Sequence, residues 1–327
     1  MNDITNFDLP TSPMSAKVPN LQLAWDSTSL GELKRCAQRY KYVVLDGWTT
    51  GEPSDDLLFG IIFHSATELY EKLKQQGADH EKAVIEATRH VILSSWDFEN
   101  NRPFLTGEEP TKTRETLLRT TIWYLDQFRN DPIKTITLPS GQPAVEVSFR
   151  FSLSEDEDDT RFRSLASGEE FILCGHLDKI GIWNETLWIV DKKTTKYQLD
   201  DYYFQQYYPD NQMSLYDIAG AVVLDQPVAG VIVDAAQVLV GGSRFKRRPI
   251  HRTEQERDDW LADLSTWLHM AEMYAVTNRW PKNEKGCGFG KMTCMFRGIC
   301  SSDPRIRQEK LENEFVKRPR WNPLEPR

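Results

Sequence analysis

The sequence predicts an α/β chain with a helical front portion, a sheet-bearing core and a cysteine-rich patch near its end. Three observations carry that expectation: apolar residues recur at helical spacing up to about position 130, strand-like runs begin at Ile133, and helical spacing returns near 211–224 and 253–278. Positions 1–20 are polar and contain proline, which reads as an unstructured N-terminus. Ser29-x-x-Glu32 has the form of a capping box and opens a first helix that carries Cys36. Helices are expected near 56–75, where Leu57, Leu58, Ile61, Ile62, Leu69 and Leu73 recur, and near 80–97 and 111–130. The runs 144–149, 171–178 and 187–191 are rich in β-branched and large apolar residues, and the last two, separated by Gly181 and the turn residues Asn184-Glu185-Thr186, make a hairpin. The acidic run 155–159 reads as a solvated insertion. Asp210 after Pro209 caps a helix near 211–224, a strand follows near 229–240, and Trp260, Leu264, Trp267 and Leu268 mark a long amphipathic helix near 253–278. From Ser301 the chain is polar, with Pro304, Pro319, Pro323 and Pro326, and is expected to pack loosely as a tail over 301–327.

Length and composition narrow the class. With 327 residues, 39% of them hydrophobic, the chain can bury the core of one elaborated domain or of two small ones. No apolar run has the length of a membrane span, since Asp234 and Gln237 interrupt 231–240, so no membrane partner is expected. The N-terminus lacks the apolar region of a secretory leader, and the five cysteines are an odd number, which together point to a reduced, cytoplasmic protein without disulfides. There is no internal repeat and no GxxxxGK[ST] phosphate loop, which excludes an ATP motor within this chain. The net charge of -9 excludes nucleic-acid binding by bulk charge and leaves it to local patches. The segment 244–252 is such a patch: Arg244, Lys246, Arg247, Arg248 and Arg252 have no acid among them, and they are either a solvated hairpin face or a contact for a DNA backbone.

The chemistry centres on Asp178 and Asp191-Lys192-Lys193, at the ends of the two strands of the hairpin. Because side chains alternate along a strand, Asp191 and Lys193 share one face, where Asp178 from the first strand can meet them. A carboxylate pair with open coordination positions suits a hard divalent cation that must also bind a phosphate, and a lysine beside it offers fixed positive charge to a developing oxyanion. Taken alone, such a D-x-K match is more often a pair of surface charges at a strand end. His64 lies one helical turn from Gly60, which leaves room beside the imidazole, and Gln212 and Tyr216 share a face of their helix. Each of these also has a plain reading, as a core histidine or as positions on an ordinary amphipathic helix.

In the order Gly60-x-x-x-His64, Gly175-His176-Leu177-Asp178, Asp191-Lys192-Lys193 and Gln212-x-x-x-Tyr216, the chain resembles the RecB-like nuclease family of the PD-(D/E)XK superfamily over roughly 25–300. The resemblance implies a restriction-endonuclease-like core, a mixed central sheet flanked by helices, within a single nuclease domain over 21–300: a helical part at 27–130 and an α/β core at 133–278. It implies that His64, Asp178 and Asp191 are ligands of Mg²⁺ or Mn²⁺, that the Lys192 carbonyl adds another, and that Lys193 is the catalytic lysine. Gln212 and Tyr216 match a motif associated with substrate DNA, and Glu146 resembles an acidic position on an early core strand.

Cys287, Cys294 and Cys300 cluster late in the chain among Gly286, Gly288, Gly290 and Gly298, while Cys36 lies far upstream. The late gaps of six and five residues are wider than those of a simple zinc knuckle, and four thiolates can hold an iron-sulfur cluster. Trp25-Asp26-Ser27-Thr28-Ser29-Leu30 leading to Lys34-Arg35-Cys36-Ala37-Gln38-Arg39-Tyr40, with the three late cysteines, is similar to the iron-sulfur branch of the family, which includes AddB-type subunits and CRISPR-associated exonucleases. That resemblance implies a 4Fe-4S cluster on Cys36, Cys287, Cys294 and Cys300 joining the patch at 287–300 to the front of the domain. The first late gap is wider than in many members, which leaves the cluster type open, and Cys174 reads as a small buried apolar residue. The function expected is a metal-dependent DNA nuclease, an exonuclease on single-stranded or linear DNA ends in repair, recombination or mobile-element processing, with a helicase or recombination protein as partner. The alternative is a module that binds nucleic acid or a helicase without cleaving, carrying a structural iron-sulfur or zinc site.

Overall fold

The computed structural model describes residues 4–5, 12–51, 53–105, 107, 109–154, 160–289 and 292–325, so the acidic run 155–159 and Gly290 lie outside the described residues. In chain order the strands are Ile4–Thr5 (β1), Ala24–Trp25 (β2), Trp48–Thr49 (β3), Trp96–Asp97 (β4), Arg102–Pro103 (β5), Lys134–Thr135 (β6), Val145–Ser152 (β7), Ile172–Trp183 (β8), Thr186–Thr195 (β9), Val231–Leu239 (β10), Gly242–Ile250 (β11), Gly288–Phe289 (β12), Met292–Thr293 (β13) and Val316–Lys317 (β14). The helices are Ser27–Arg35 (α1), Ala37–Tyr40 (α2), Asp55–Gln75 (α3), His80–Ser94 (α4), Arg114–Gln127 (α5), Asp201–Gln205 (α6), Asn211–Leu224 (α7), Glu254–Thr277 (α8), Arg297–Ser301 (α9) and Arg307–Glu314 (α10).

The central sheet runs β1-β7-β8-β9-β10-β11, with β2 and β6 also paired to β8. It is mixed: β7, β8 and β9 are antiparallel neighbours, β9 and β10 run parallel, and β10 and β11 form an antiparallel hairpin. β10 shows why helices must cover both faces, because it is buried from Val231 to Val238 and its side chains divide between two cores. Val233 and Ala235 join Trp25, Leu33, Phe149, Leu215 and Leu264 on the side of α1, α7 and α8. Ala236 and Val238 join Phe59, Phe63, Ala87 and Leu117 on the side of α3, α4 and α5. This is the α/β sandwich expected of a restriction-endonuclease-like core. No helix among the described residues is long and apolar enough to cross a membrane.

Several local expectations need correction. Asp26, not Ser29, caps α1: its carboxylate accepts from the Ser29 N–H at 2.9 Å, and Ser29 is the third helical residue that returns the bond. Cys36 is the residue at which α1 stops, with an extended backbone before α2. α4 ends at Ser94, because Trp96–Asp97 turns into a hairpin with Arg102–Pro103. The segment 12–20 is held down, with Ser15 bonded to Glu169 and its N–H donating to the Leu21 carbonyl at 2.8 Å. The tail after Ser301 docks as well: Leu311 is buried, and β14 pairs with β3. Gly47, at φ 79°, makes that docking possible, since a Cβ there would collide with the Arg318 carbonyl.

Residues 244–250 of the basic segment lie on edge strand β11, Arg252 beyond it bonds to the Ser214 hydroxyl and the Tyr207 carbonyl, and Arg247 turns inward. Its guanidinium contacts Asp131 Oδ1 at 2.6 Å and Asp234 Oδ2 at 2.8 Å. Tyr124 donates its hydroxyl to the same Asp234 oxygen at 2.6 Å, and Asp131 also meets Lys179, which reaches Glu71 Oε1 at 2.9 Å. This web ties α3, α5, β8, β10 and β11 together, so Arg247 is committed inside the fold and not offered to DNA. Arg248 is more open and pairs with the exposed Asp201. Arg247→Ala therefore strands a buried Asp234 and should cost about 3–5 kcal/mol in urea unfolding, whereas Arg248→Ala should cost less than about 1 kcal/mol. Equal losses would contradict the buried role of Arg247.

Candidate active site

The site is built where two strands part. The β8–β9 ladder runs from Trp183↔Thr186 to Lys179↔Val190 and stops there. Beyond that point β8 continues against β7 and β2, while β9 continues against β10. Asp178 and Asp191 are the next residues on their strands, so both carboxylates sit in the mouth of the fork. The Lys192 N–H, with no ladder partner on β8, donates to Asp178 Oδ2 at 2.8 Å. That bond fixes the carboxylate and satisfies a buried amide at once.

His64 on α3 comes over the fork, its Nδ1 3.3 Å from Asp178 Oδ2. From the other neighbour of β8, Glu146 completes the group. It lies on β7 between the pairs Val145↔Lys179 and Val147↔Leu177, at φ 48°, a left-handed conformation that costs a non-glycine residue about 1–3 kcal/mol. Such a cost is tolerated where the side chain must be aimed. Ligand atoms of His64, Glu146 and Asp178 all lie within 4.8 Å of one another. Oxygen donors with one imidazole match a hard divalent cation such as Mg²⁺ or Mn²⁺.

Asp191 is placed differently from the expectation. It is 1% exposed and faces Lys193, whose Nζ lies 3.0 Å from Oδ1 and 2.9 Å from Oδ2. The close trio is thus His64, Glu146 and Asp178, with Glu146 where the sequence suggested Asp191. Gln212, in the first turn of α7, accepts from Lys193 Nζ at 2.6 Å and donates to the Tyr216 hydroxyl at 3.0 Å. The Gln212 and Tyr216 side chains thereby anchor the lysine, a role that spacing alone did not reveal. Gly60 meets no close neighbour, the Thr194 hydroxyl being 3.9 Å from where a Cβ would stand.

The electrostatics are set by burial of several charged groups at one place. Burial opposes ionisation of Asp178, but the His64 charge and hydrogen bond, with Lys192 and Lys193, hold it well below the usual carboxylate range. His64 shows the counterpart: burial disfavours its charge, and Asp178 more than offsets this and raises its pKa. Burial and the Asp178 charge push Glu146 up to about 7. Burial pushes Asp191 up to about 6, with Lys193 opposing and Asp178 reinforcing the shift. Burial works against the Lys193 charge, yet Asp191 and Asp178 raise its pKa. Two carboxyls resist ionisation beside one already ionised, which a bound cation would relieve.

Two groups carry no sequence signal. Lys112 is fully buried with Nζ 3.2 Å from the Thr194 hydroxyl, and burial pulls its pKa down to about 8. Tyr203 and Tyr207 share a hydroxyl contact of 3.1 Å. Nothing in a lysine between two threonines, or in a run of tyrosines, marks them as neighbours of β9.

Cys36 and the three late cysteines come into one region at the end of α1. The Asn283 N–H donates to Cys36 Sγ at 3.4 Å, and Cys287 Sγ donates to the Asn283 carbonyl at 3.7 Å. Arg39 Nη1 contacts Cys294 Sγ at 3.8 Å. Burial raises the Cys300 thiol, and nearby Cys36 and Cys294 raise it further. All four are free thiols, as is the buried Cys174. The patch has more core than the glycine-rich sequence suggested, because Cys294 packs with Tyr42, Trp48, Phe296, Ile299 and Leu311.

Residues 25–301 match the PD-(D/E)XK nuclease superfamily, and the chain belongs to it. Members of that superfamily are metal-dependent nucleases. No curated protein matches the chain.

The Glu146 environment gives a test of the site by pH. With divalent ions chelated, the fold favours neutral Glu146, so the wild type loses stability as pH rises from the free-carboxyl value near 4.3 through about 7. Glu146→Gln lacks this loss. Its melting temperature relative to wild type should therefore climb between pH 5 and 8, and added Mn²⁺ should stabilise wild type more than the variant. A difference that stays flat with pH and metal would remove Glu146 from the site.

Proposed function

We propose that this protein is a DNA nuclease that hydrolyses phosphodiester bonds with Mg²⁺ or Mn²⁺, acting as an exonuclease on single-stranded or linear DNA ends. The observation that carries the reading is the His64, Glu146 and Asp178 trio within 4.8 Å, beside a lysine clamped by Asp191 and Gln212. His64, Glu146 and Asp178 would hold the ion, with Asp191 and the Lys192 carbonyl as its further ligands. When bound, such an ion polarises the scissile phosphate and lowers the pKa of a water. Lys193, kept protonated by its carboxylate neighbours, orients that water and offsets charge developing on the phosphate oxygens. Gln212 holds the ammonium in place, and Tyr216 holds Gln212. No residue needs to form a covalent intermediate. The exonuclease activity, and roles in repair, recombination or mobile-element processing beside a helicase or recombination partner, rest on the resemblance to the RecB-like family.

Lys193→Ala and Asp191→Ala should each lower metal-dependent cleavage of linear single-stranded DNA by about 100-fold or more, with binding of the DNA retained. Digestion of the linear strand but not of a closed circle supports the exonuclease. Cleavage of neither would leave the chain as a non-cleaving binding module.

The same reading extends to a 4Fe-4S cluster on Cys36, Cys287, Cys294 and Cys300. Its support is that the four thiols are free, that Asn283 contacts both Cys36 and Cys287, and that Cys300 lies near enough to Cys36 and Cys294 for their charges to raise its pKa. Anaerobically prepared protein should be brown and contain iron, and Cys294→Ala should lose colour and solubility. Colourless folded protein containing zinc instead would replace the cluster with a zinc site.

A further inference from the structure

We infer that the cavity between α3, α4 and the β4–β5 hairpin seats an unpaired nucleobase of the substrate strand, at the part of α3 next to His64, since Ser65 lines it. This rests on the nuclease reading and adds to it a site for the base. α3 presents two adjoining stripes. Gly60 and His64 face the fork, and Leu57 and Ile61 lie immediately alongside, with Ile61 one turn before Ser65. Ile61 and Leu57 are each 55% exposed, and across the cavity Phe104 is 44% exposed. A helix that supplies a metal ligand thus leaves its neighbouring apolar stripe open to solvent, where an apolar partner is needed to cover it.

The cavity holds about 490 Å³ and is lined by Leu58, Ile61, Ile62 and Phe104 among its apolar walls. That volume lies in the range that encloses one small organic group, and an aromatic ring beside aliphatic side chains is a stacking surface for a base. Its polar wall is Ser65 and His90, joined at 2.8 Å between the hydroxyl and Nε2, with the Ser94 hydroxyl 3.4 Å from the same nitrogen. An imidazole between two hydroxyls can turn either a donor or an acceptor toward the edge of a base. Arg102, paired with Asp97, and Arg318, donating to the Gly51 carbonyl, also line the cavity, which brings two guanidinium groups to its rim, where the phosphates flanking a seated base would run. Asp97, the one acid among the described lining residues, accepts from the Asn100 side chain at 2.7 Å and from the Glu99 and Asn100 amides, and its Oδ2 lies 3.6 Å from Arg102 Nε. A base held in a duplex is stacked and paired and cannot enter, so the cavity selects single-stranded segments.

The test is an abasic walk. Binding of a labelled single-stranded thymidine 12-mer is measured on the full chain with divalent ions chelated, and the base is removed at one position at a time. In the unaltered protein one position should lose about tenfold in affinity, and its neighbours much less. Phe104→Ala and Ile61→Ala, both at half-exposed positions, should bind the intact strand about tenfold more weakly and show no such position. A flat profile in the unaltered protein, or the same peak in both variants, overturns the base site. Cleavage of the unmodified strand by the unaltered protein with Mn²⁺ is read in parallel. Its absence removes the nuclease reading, whereas cleavage with a flat abasic profile removes the base site alone.

Discussion

One hydrogen bond organises the candidate site, the bond from the Lys192 amide to the Asp178 carboxylate. In a continuous antiparallel ladder that amide would face a carbonyl on β8. Because the strands separate after Lys179↔Val190, a side chain takes the carbonyl's place, and the buried amide remains satisfied. The fork is thereby closed by a group that is itself chemically competent. Everything else in the site is arranged around the same carboxylate: the imidazole approaches it from α3, Glu146 comes to it from β7, and the Lys193 clamp begins one residue beyond the donor.

The site and the scaffold handle charge in opposite ways. Below α3, Glu71, Lys179, Asp131, Arg247 and Asp234 form a chain of alternating sign in which each ion has a partner. Such a web fixes the helix against the sheet, and breaking one member leaves another buried alone. In the fork burial disfavours ionisation of Glu146 and Asp191, the Asp178 charge adds to it, and both shift toward their neutral forms despite His64, Lys192 and Lys193 nearby. The difference separates structural charge, which is complete, from functional charge, which is left incomplete.

Much of the architecture was legible because it is governed by periodicity. The helical spacing around Ile61 and Leu73 and the alternation along 144–149 set their elements within a few residues. Asp178, Lys193, Gln212 and His64 were legible as motif residues, and they do converge. Glu146 was harder to read, because what recruits it is a left-handed backbone in the middle of a strand, and no local residue preference announces that. Arg247 was misread because a run of basic residues looks alike whether its partners are phosphates or aspartates distant in sequence. The tail was misread for a related reason: prolines and charges describe its exposed side, while its few buried contacts, Leu311 among them, depend on surfaces made elsewhere.

The pairing of Trp48–Thr49 with Val316–Lys317 has a consequence for assembly. A short edge near the front of the chain obtains its partner only after the ribosome has produced every strand of the main sheet. Until then the turn at Gly47 presents unsatisfied backbone to its surroundings. The residues of the fork, from 64 to 216, all precede β14 in the chain, whereas the seam brings Arg318 to the lining of the cavity beside α3, so that wall exists only once the tail has docked.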